Sequence, residues 1–134
     1  AFFDCIARCL KPGGRAAIQY IAMRDDLFDG YARGADFIQA YVFPGGMLVR
    51  ESTFRQLAAE RGLEWRDQAS FPLDYAETLR LWRESFDRAV EAARLPAGFD
   101  ARFVRLWRFY LMYCEGGFRG GALDVAQVTL VKPG

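Results

Sequence analysis

Apolar residues recur every three to four positions over several segments, the spacing of one helix face. The first segment runs over residues 2–10 and stops at Lys11-Pro12-Gly13-Gly14. Proline cannot continue a helix, and glycine accepts the left-handed turn that ends one. A second moderately apolar segment, residues 28–42, stops at Phe43-Pro44-Gly45-Gly46. The pattern therefore predicts one helix over each of these two segments.

Three more helices are predicted further along the chain. Thr53 and Gln56 have the spacing of a capping box, and Gly62 marks the end of that short helix. Residues 99–118 are apolar almost all round, which is typical of a helix that is buried or lines a cavity. Between them lies a long one-face stripe formed by Tyr75, Leu79, Trp82, Phe86, Val90 and Ala93.

Short apolar runs predict three strands. Residues 15–23 are apolar on both faces, as in a strand buried inside a parallel sheet. Residues 63–71 and the β-branched residues 123–131 complete the set. Helices alternate with these strands, which indicates an α/β sheet. The long helix pair, about residues 73–119, is predicted to be an insertion before the last strand, and three strands make a thin sheet.

Composition excludes several classes of site. The net charge of +1 argues against a dedicated nucleic-acid-binding protein. The chain contains no histidine, so histidine triads and histidine metal sites are excluded within it, and we expect no metal. Three cysteines without a close pair favour a reduced, cytoplasmic setting. Aromatic residues make up 16% of the chain, enough to fill a core or to line a lipid or cofactor cavity.

The apolar runs and the first residues of the chain indicate whether it carries a membrane span or a signal peptide and whether it is part of a longer protein. No run approaches the length of a membrane span, and no signal peptide is visible. The chain starts at Ala1 without an initiator methionine, inside a predicted helix, so we expect a piece of a longer protein.

Five blocks, in order, carry a resemblance to a known family. Residues 3–21, FDCIARCLKPGGRAAIQYI, resemble the stretch through the fifth strand of Rossmann-like methyltransferases. DFIQAYVFPGGML (36–48), LDYAETLRLW (73–82), FVRLWRFYLMYCEGGF (103–118) and DVAQ (124–127) resemble blocks of the cyclopropane-fatty-acyl-phospholipid synthases and the similar mycolic acid cyclopropane synthases.

The resemblance implies a fold and a cofactor. The chain would be the C-terminal part of one class I methyltransferase domain, supplying strands five to seven, with the last strand antiparallel. The family uses S-adenosylmethionine, held mostly by strands one to four, which would lie upstream. No glycine-rich loop follows a strand here, so we expect no cofactor-binding residue in this chain.

The resemblance also implies a reaction. The family transfers a methyl group from S-adenosylmethionine to a cis double bond of a phospholipid acyl chain, and a base removes a proton so that a cyclopropane ring closes. Such a site must be dry and must tolerate positive charge, which aromatic faces stabilise.

The base in this family is a bound bicarbonate, and its position implies three residues here. Tyr75 matches the tyrosine of the family block, and Ile21 lies on the fifth strand. Gln19 stands where the family has a histidine. Glutamine donates a hydrogen bond but carries no charge. Tyr75 and Gln19 are therefore the candidate catalytic residues, although Tyr75 could be core and Gln19 could satisfy neighbouring backbone.

Phe43, Gly45 and Tyr110 are the candidate substrate-binding residues, although Phe43-Pro44-Gly45-Gly46 could equally be only a turn. Cys114 is most simply a packed cysteine. Glu115 would be either a buried partner of an arginine, which we favour, or a residue that faces the cofactor pocket.

Arg102, Arg105 and Arg108 lie at helical spacing near a single acid, Asp100. They would form either a solvated face, which we favour, or a peripheral contact with anionic phospholipid headgroups.

Two other functions remain open. The same fold could methylate an amine or a lipid without ring closure, an alternative that Gln19 favours. The chain could also be an inactive lipid-binding or dimer-forming module. Without upstream neighbours the first strand would have an open apolar edge, so we expect this chain alone to pair with another copy or to aggregate.

Overall fold

The computed structural model describes residues 1–134, which form six helices and four strands. The helices are α1 (Phe2–Cys9), α2 (Asp25–Arg33), α3 (Phe37–Tyr41), α4 (Glu51–Ala59), α5 (Pro72–Glu91) and α6 (Ala101–Arg119). The strands are β1 (Arg15–Met23), β2 (Val49–Arg50), β3 (Glu64–Ser70) and β4 (Leu123–Val131).

The four strands form one mixed sheet in the order β2-β1-β4-β3. β4 is antiparallel to both of its neighbours, as the resemblance implied for the last strand, and it pairs with the whole length of β1. The expectation that residues 15–23 lie inside a parallel sheet is wrong for this chain. The only parallel pairing of β1 is to β2, at Ala22–Val49 and Met23–Arg50. An apolar pattern reports burial of a strand but not the direction of its neighbours.

The β2 strand was not predicted, because two residues are too few to show an alternating pattern. Its presence also corrects the start of the following helix. The chain turns from Arg50 directly into α4, so the helix begins at Glu51, and Thr53 and Gln56 lie inside it. No side chain caps α4, and Gln56 bonds Glu60 one turn on instead of completing a capping box.

The single helix predicted over residues 28–42 is two helices. α2 ends at Arg33, and Gly34 takes an extended conformation. Asp36 then starts α3 with a capping box, in which its carboxylate accepts from the backbone and the Gln39 side chain accepts from the Asp36 backbone N–H. The helical spacing of apolar residues continues across this break, so periodicity alone could not show it.

The core consists of two clusters, one on each face of the sheet. Alternate residues of β1 and β4 point to opposite faces. The first cluster, under α1 and α4, contains Phe3, Tyr20, Ala22, Ala58, Leu63, Ala126, Val128 and Leu130. The second, under α5 and α6, contains Ala76, Leu79, Leu111, Cys114, Phe118 and Val125.

The long helix pair lies between β3 and β4 in the chain, as predicted. Asp100 caps α6 through a hydrogen bond from the Phe103 backbone N–H. Two members of the predicted α5 stripe depart from one buried face, because Trp82 is half exposed and Ala93 lies beyond the helix with a positive φ of 52°. None of the helices is long and apolar enough to cross a membrane.

One edge of β1 is open over most of its length. β4 pairs with β1 throughout, but on the other side β2 reaches only Ala22 and Met23. Residues 15–21 therefore present an unpaired backbone edge, as expected from the resemblance.

Candidate active site

Tyr75 stands in the first turn of α5, on the side that faces the sheet. Its ring packs edge-on against Phe118 at 5.0 Å and near Trp82 at 6.3 Å between centroids. The ring is part of the packing around the second core cluster. Its hydroxyl makes no hydrogen bond within the chain and is not one of the fully buried polar atoms without a partner. Tyr75 thus combines a fixed ring with a free polar end.

Gln19 and Ile21 lie on β1, two residues apart and therefore on the same face. Ile21 packs against the second core cluster, as Tyr75 does. Gln19 is exposed rather than buried in an apolar strand, and its Oε1 accepts a hydrogen bond of 3.0 Å from Gln127 Nε2 on β4. This bond orients the amide and leaves the Gln19 NH₂ group without a partner in the chain. No hydrogen bond joins Gln19 to Tyr75.

Tyr110 lies on α6 close to Cys114, one turn further on. Burial, and then the neighbouring Cys114, raise the pKa of Tyr110 to about 12. Its ring contacts Trp107 at 5.0 Å and Phe43 at 6.1 Å. The structure therefore brings together Tyr110 and Phe43, two of the residues predicted to bind substrate.

Gly45, the third of those residues, shapes the turn that presents Phe43. Its φ of +79° lies in the left-handed region, which a residue with a side chain adopts only with strain. The adjoining Gly46 comes close to Phe43, since a Cβ there would lie 3.0 Å from the Phe43 carbonyl oxygen. Gly45 has no side chain with which to contact a substrate. Its role is to form the turn that positions Phe43, whose ring is half exposed.

Cys114 and Glu115 have the structural roles expected for them. The Cys114 side chain is buried in the second cluster, and burial raises the pKa of its thiol to about 11. Glu115 accepts a hydrogen bond of 2.8 Å from Arg119 and lies 3.6 Å from Arg83. It therefore joins α6 to α5 through arginine, as favoured from the sequence.

A hydrogen-bonded chain around Asp36 was missed by the sequence reasoning. Tyr113 donates to Asp36, and the Gln39 amide donates to the Tyr31 hydroxyl at 3.4 Å. That hydroxyl also accepts from the Leu48 backbone N–H at 3.0 Å. The chain fixes the segment that carries Phe43 between α2 and α6. The spacing of Asp36 and Gln39 was the available signal, because it fits a capping box.

The three arginines of α6 are not one uniform face. Arg108 forms an ion pair with Asp87 of α5 at 2.8 Å, a partner that the sequence reasoning did not consider. Arg102 and Arg105 are exposed and line a groove between α3 and α6. The arginines therefore divide into one that joins the two long helices and two that face solvent.

A separate cavity of about 540 Å³ lies at the end of β1 and the start of β4. Arg24, Glu51, Arg55 and Asp124 give it a mixed charge. Glu51 is already bonded to Arg55 and to the Tyr20 hydroxyl, both at 3.0 Å. No group of three or more metal-ligating side chains occurs in the chain. The charged side chains of this cavity are thus partly paired with one another, as Glu51 is with Arg55.

Known proteins resemble this chain over almost its whole length. The family model described as mycolic acid cyclopropane synthetase matches residues 1–128. A tuberculostearic acid methyltransferase, UfaA1, from Mycobacterium tuberculosis is 42% identical over 99% of this chain and 31% of its own length. The cyclopropane-fatty-acyl-phospholipid synthase of Escherichia coli K12 is 31% identical over 98% of this chain and 32% of its own.

Solved structures agree with these relatives. The mycolic acid cyclopropane synthase CmaA1, solved with SAH and CTAB, superposes with a TM-score of 0.84 and 26% identity. The match covers 98% of this chain and 48% of CmaA1. The chain therefore spans about a third of the length of the two curated relatives and about half of that structure.

Proposed function

Because the chain belongs to the mycolic acid cyclopropane synthetase family, we propose that it is the C-terminal part of a single-domain, S-adenosylmethionine-dependent lipid methyltransferase. Its acceptor is the cis double bond of an unsaturated phospholipid acyl chain, and its product is a cyclopropane ring. The observation that carries this proposal is the Tyr75 hydroxyl, which has no partner in the chain, on a ring packed among aromatic side chains at the second core cluster.

The residues of this chain fit the acceptor side of the reaction. S-adenosylmethionine, when bound, supplies the methyl group. The chain has no glycine-rich loop after a strand, so most of the cofactor site belongs to other parts of such an enzyme. What the chain offers is two aromatic pairs on the helix pair, Tyr75 with Trp82 and Tyr110 with Trp107. Aromatic faces stabilise the positive charge that develops on the acyl chain when the alkene is methylated.

Ring closure also needs a base, because a proton must leave the new methyl group as its electron pair forms the third ring bond. We place a bound anion, bicarbonate, near Tyr75, Gln19 and Ile21. The Tyr75 hydroxyl and the unpaired NH₂ group of Gln19 are donors suited to an oxyanion. Ile21 packs on the same cluster as Tyr75 and would form the apolar side of this site.

The acyl chain itself needs an apolar channel, for which Phe43 and Tyr110 are the candidates. Their rings meet at 6.1 Å between centroids, one from the loop after α3 and one from α6. Gly45 holds the turn that presents Phe43. Closing such a channel around the chain excludes the water that would trap the cationic intermediate.

A second candidate is methylation of the same alkene without ring closure. The 42%-identical relative is named as a tuberculostearic acid methyltransferase rather than a cyclopropane synthase. Gln19 also lacks the charge that a protonated histidine would give an anion site. In this reaction a proton leaves a chain carbon instead of the new methyl group, and a methyl-branched alkene remains.

Lipid analysis of cells that express the intact gene product tests the proposal. Mass spectrometry is expected to show a gain of one CH₂ in unsaturated acyl chains, and proton NMR is expected to show cyclopropane protons. Tyr75→Phe should abolish the ring signal. Thr53→Val, which removes an exposed hydroxyl that bonds no other residue and lies outside every site described, is the control and should leave that signal intact.

Three results would contradict the proposal in different ways. A methyl-branched product would show that the enzyme methylates the double bond without closing a ring. Unchanged lipids, together with methyl transfer from labelled S-adenosylmethionine to amines, would move the acceptor outside lipids. No methyl transfer to either class would favour an inactive lipid-binding module.

A further inference from the structure

A groove of about 570 Å³ runs between α3 and α6, on the surface of the helix pair. We call it the α3–α6 groove. Its half-buried floor includes Phe37 and Leu106, and its exposed rim carries Tyr41, Phe109, Arg102 and Arg105. None of these residues belongs to the candidate active site described above.

The groove carries a net positive charge, with two arginines against one aspartate. Arg102 and Arg105 are exposed and form no ion pair or side-chain hydrogen bond in the chain. The one acid in the lining, Asp100, is committed to capping α6, where it accepts from the Phe103 backbone N–H at 2.9 Å. Arg108 contrasts with them, because Asp87 neutralises it. The two rim arginines are therefore free to bind an anion.

Two large aromatic side chains are exposed to solvent beside these arginines. Tyr41 is 65% exposed and Phe109 is 50% exposed. Exposed apolar surface of this kind is costly unless something covers it. Aromatic rings together with arginine are the combination favoured at a membrane interface, where rings enter the headgroup region and cations meet lipid phosphates.

The two walls of the groove are held together, so the groove does not depend on a ligand to form. Phe37 packs edge-on against Phe109 with 4.7 Å between ring centroids. Beneath them, Tyr113 of α6 donates to Asp36, which begins α3. A preformed site avoids much of the ordering cost of binding.

We propose that the α3–α6 groove docks the protein on an anionic phospholipid bilayer, with Arg102 and Arg105 on a lipid phosphate and the aromatic rim in the headgroup region. This inference rests on the proposed function, since it gives the enzyme a route to acyl chains that lie in a membrane. The groove is next to the acyl candidates along α6, because Tyr110, which contacts Phe43, directly follows Phe109.

Vesicle flotation of the intact gene product tests the groove. Vesicles containing phosphatidylglycerol should bind the protein more tightly than vesicles of phosphatidylcholine alone. The double variant Arg102→Gln/Arg105→Gln should weaken binding to the anionic vesicles roughly thirtyfold, at about fivefold for each cation near the surface. Phe109→Ser should weaken it as well. Inorganic phosphate at millimolar concentration should not compete, because the bilayer and not a free anion is the ligand.

The control is a double variant with the same change of charge outside the groove, Arg88→Gln/Arg94→Gln, both exposed residues near the end of α5. The control should bind as the wild type does. Equal loss in both double variants would overturn the proposal in favour of non-specific charge. Wild-type binding by the groove variant would show that something else covers this face.

The readout separates this inference from the proposed function. Flotation does not require methyl transfer. If vesicle binding depends on Arg102 and Arg105 in a protein that shows no activity, the docking proposal is supported and only the proposed reaction is refuted. If inorganic phosphate competed with the vesicles, the ligand of the groove would be a soluble phosphate and not the bilayer. Thermal unfolding of each variant checks that the exposed substitutions leave the fold intact.

Discussion

The Tyr113 hydroxyl on α6 donates a hydrogen bond to the carboxylate of Asp36, the residue that begins α3. The other oxygen of that carboxylate accepts from the Ile38 backbone N–H at 3.0 Å. One side chain therefore both starts a five-residue helix and ties it to the long helix pair. A helix this short is not stable by itself, so its position depends on such tertiary contacts.

We expect Tyr113→Phe to loosen α3 and to lower the free energy of unfolding by about 1 kcal/mol, the usual contribution of a partly exposed hydrogen bond. Urea denaturation measures this change. Tyr41→Phe is the control, because Tyr41 is exposed and its hydroxyl bonds no other residue. Equal stability of the two variants would show that the contact to Asp36 contributes nothing.

Stability should fall in alkali. The pKa values of Tyr113 and Tyr110 are raised to about 12, the first mainly by its hydrogen bond to Asp36 and the second by burial. The folded state thus holds these protons more tightly than the unfolded state. Their stabilising contribution is complete below about pH 10, the ordinary tyrosine pKa, and is lost as the pH rises towards 12.

Denaturation curves between pH 8 and pH 11.5 would measure this loss. In Tyr113→Phe the dependence on pH should be weaker than in the wild type, because one of the groups whose pKa is raised in the folded state is gone, while Tyr20, Tyr110 and Cys114 remain. A variant curve that falls as steeply as that of the wild type would contradict the assignment to Tyr113.

The three thiols should differ in reactivity. Cys5 and Cys9 are exposed on α1, whereas Cys114 is buried and its pKa is raised to about 11. The thiolate is the reactive form, so Cys114 is disfavoured both by burial and by its pKa. At pH 8 a thiol reagent should modify two cysteines quickly and the third only on unfolding. Cys114→Ala should leave the fast phase unchanged, and a fast third thiol would contradict this burial.

The first core cluster should be sensitive to loss of volume. Leu130 on β4 is fully buried, so Leu130→Ala should lower the free energy of unfolding by about 2–5 kcal/mol. Leu73→Ala removes the same atoms from a side chain that is 62% exposed, and we expect a change within about 0.5 kcal/mol. Chemical denaturation compares the two. A small effect at Leu130 would mean that the cluster collapses around the missing side chain.

The role proposed for Gln19 can be separated from that of its partner. Gln19→Ala removes the free donor and should reduce ring formation by roughly a hundredfold, as for loss of one donor to an anion. Gln127→Ala removes only the bond that orients Gln19, so its effect should be smaller. Product formation by the intact gene product measures both. Equal rates in Gln19→Ala and wild type would exclude Gln19 from the reaction.

The local elements were largely predictable. The bounds of β1 and β4 follow from their apolar runs, and the two long helices follow from sustained periodicity and from glycine and proline at their ends. These signals act within a few residues of the chain, so the sequence displays them directly. The family was recognisable for the same reason, since its blocks are contiguous motifs, and the match over residues 1–128 confirms it.

What escaped prediction depends on residues far apart in the chain. The break between α2 and α3 is stabilised by a tyrosine 77 positions away, and β2 exists only because β1 pairs with it. The exposed Gln19 amide is oriented by Gln127, 108 positions away, and an apolar strand pattern does not reveal such a partner.

The sequence by itself determined the secondary structure of the long elements, the family and the candidate residues, because propensity, periodicity and motifs are local. Only the tertiary structure decided the strand order, the meeting of Phe43 with Tyr110, and the separation of Arg108 from Arg102 and Arg105. Those relationships are set by which surfaces pack against one another, and packing joins residues that the chain keeps apart.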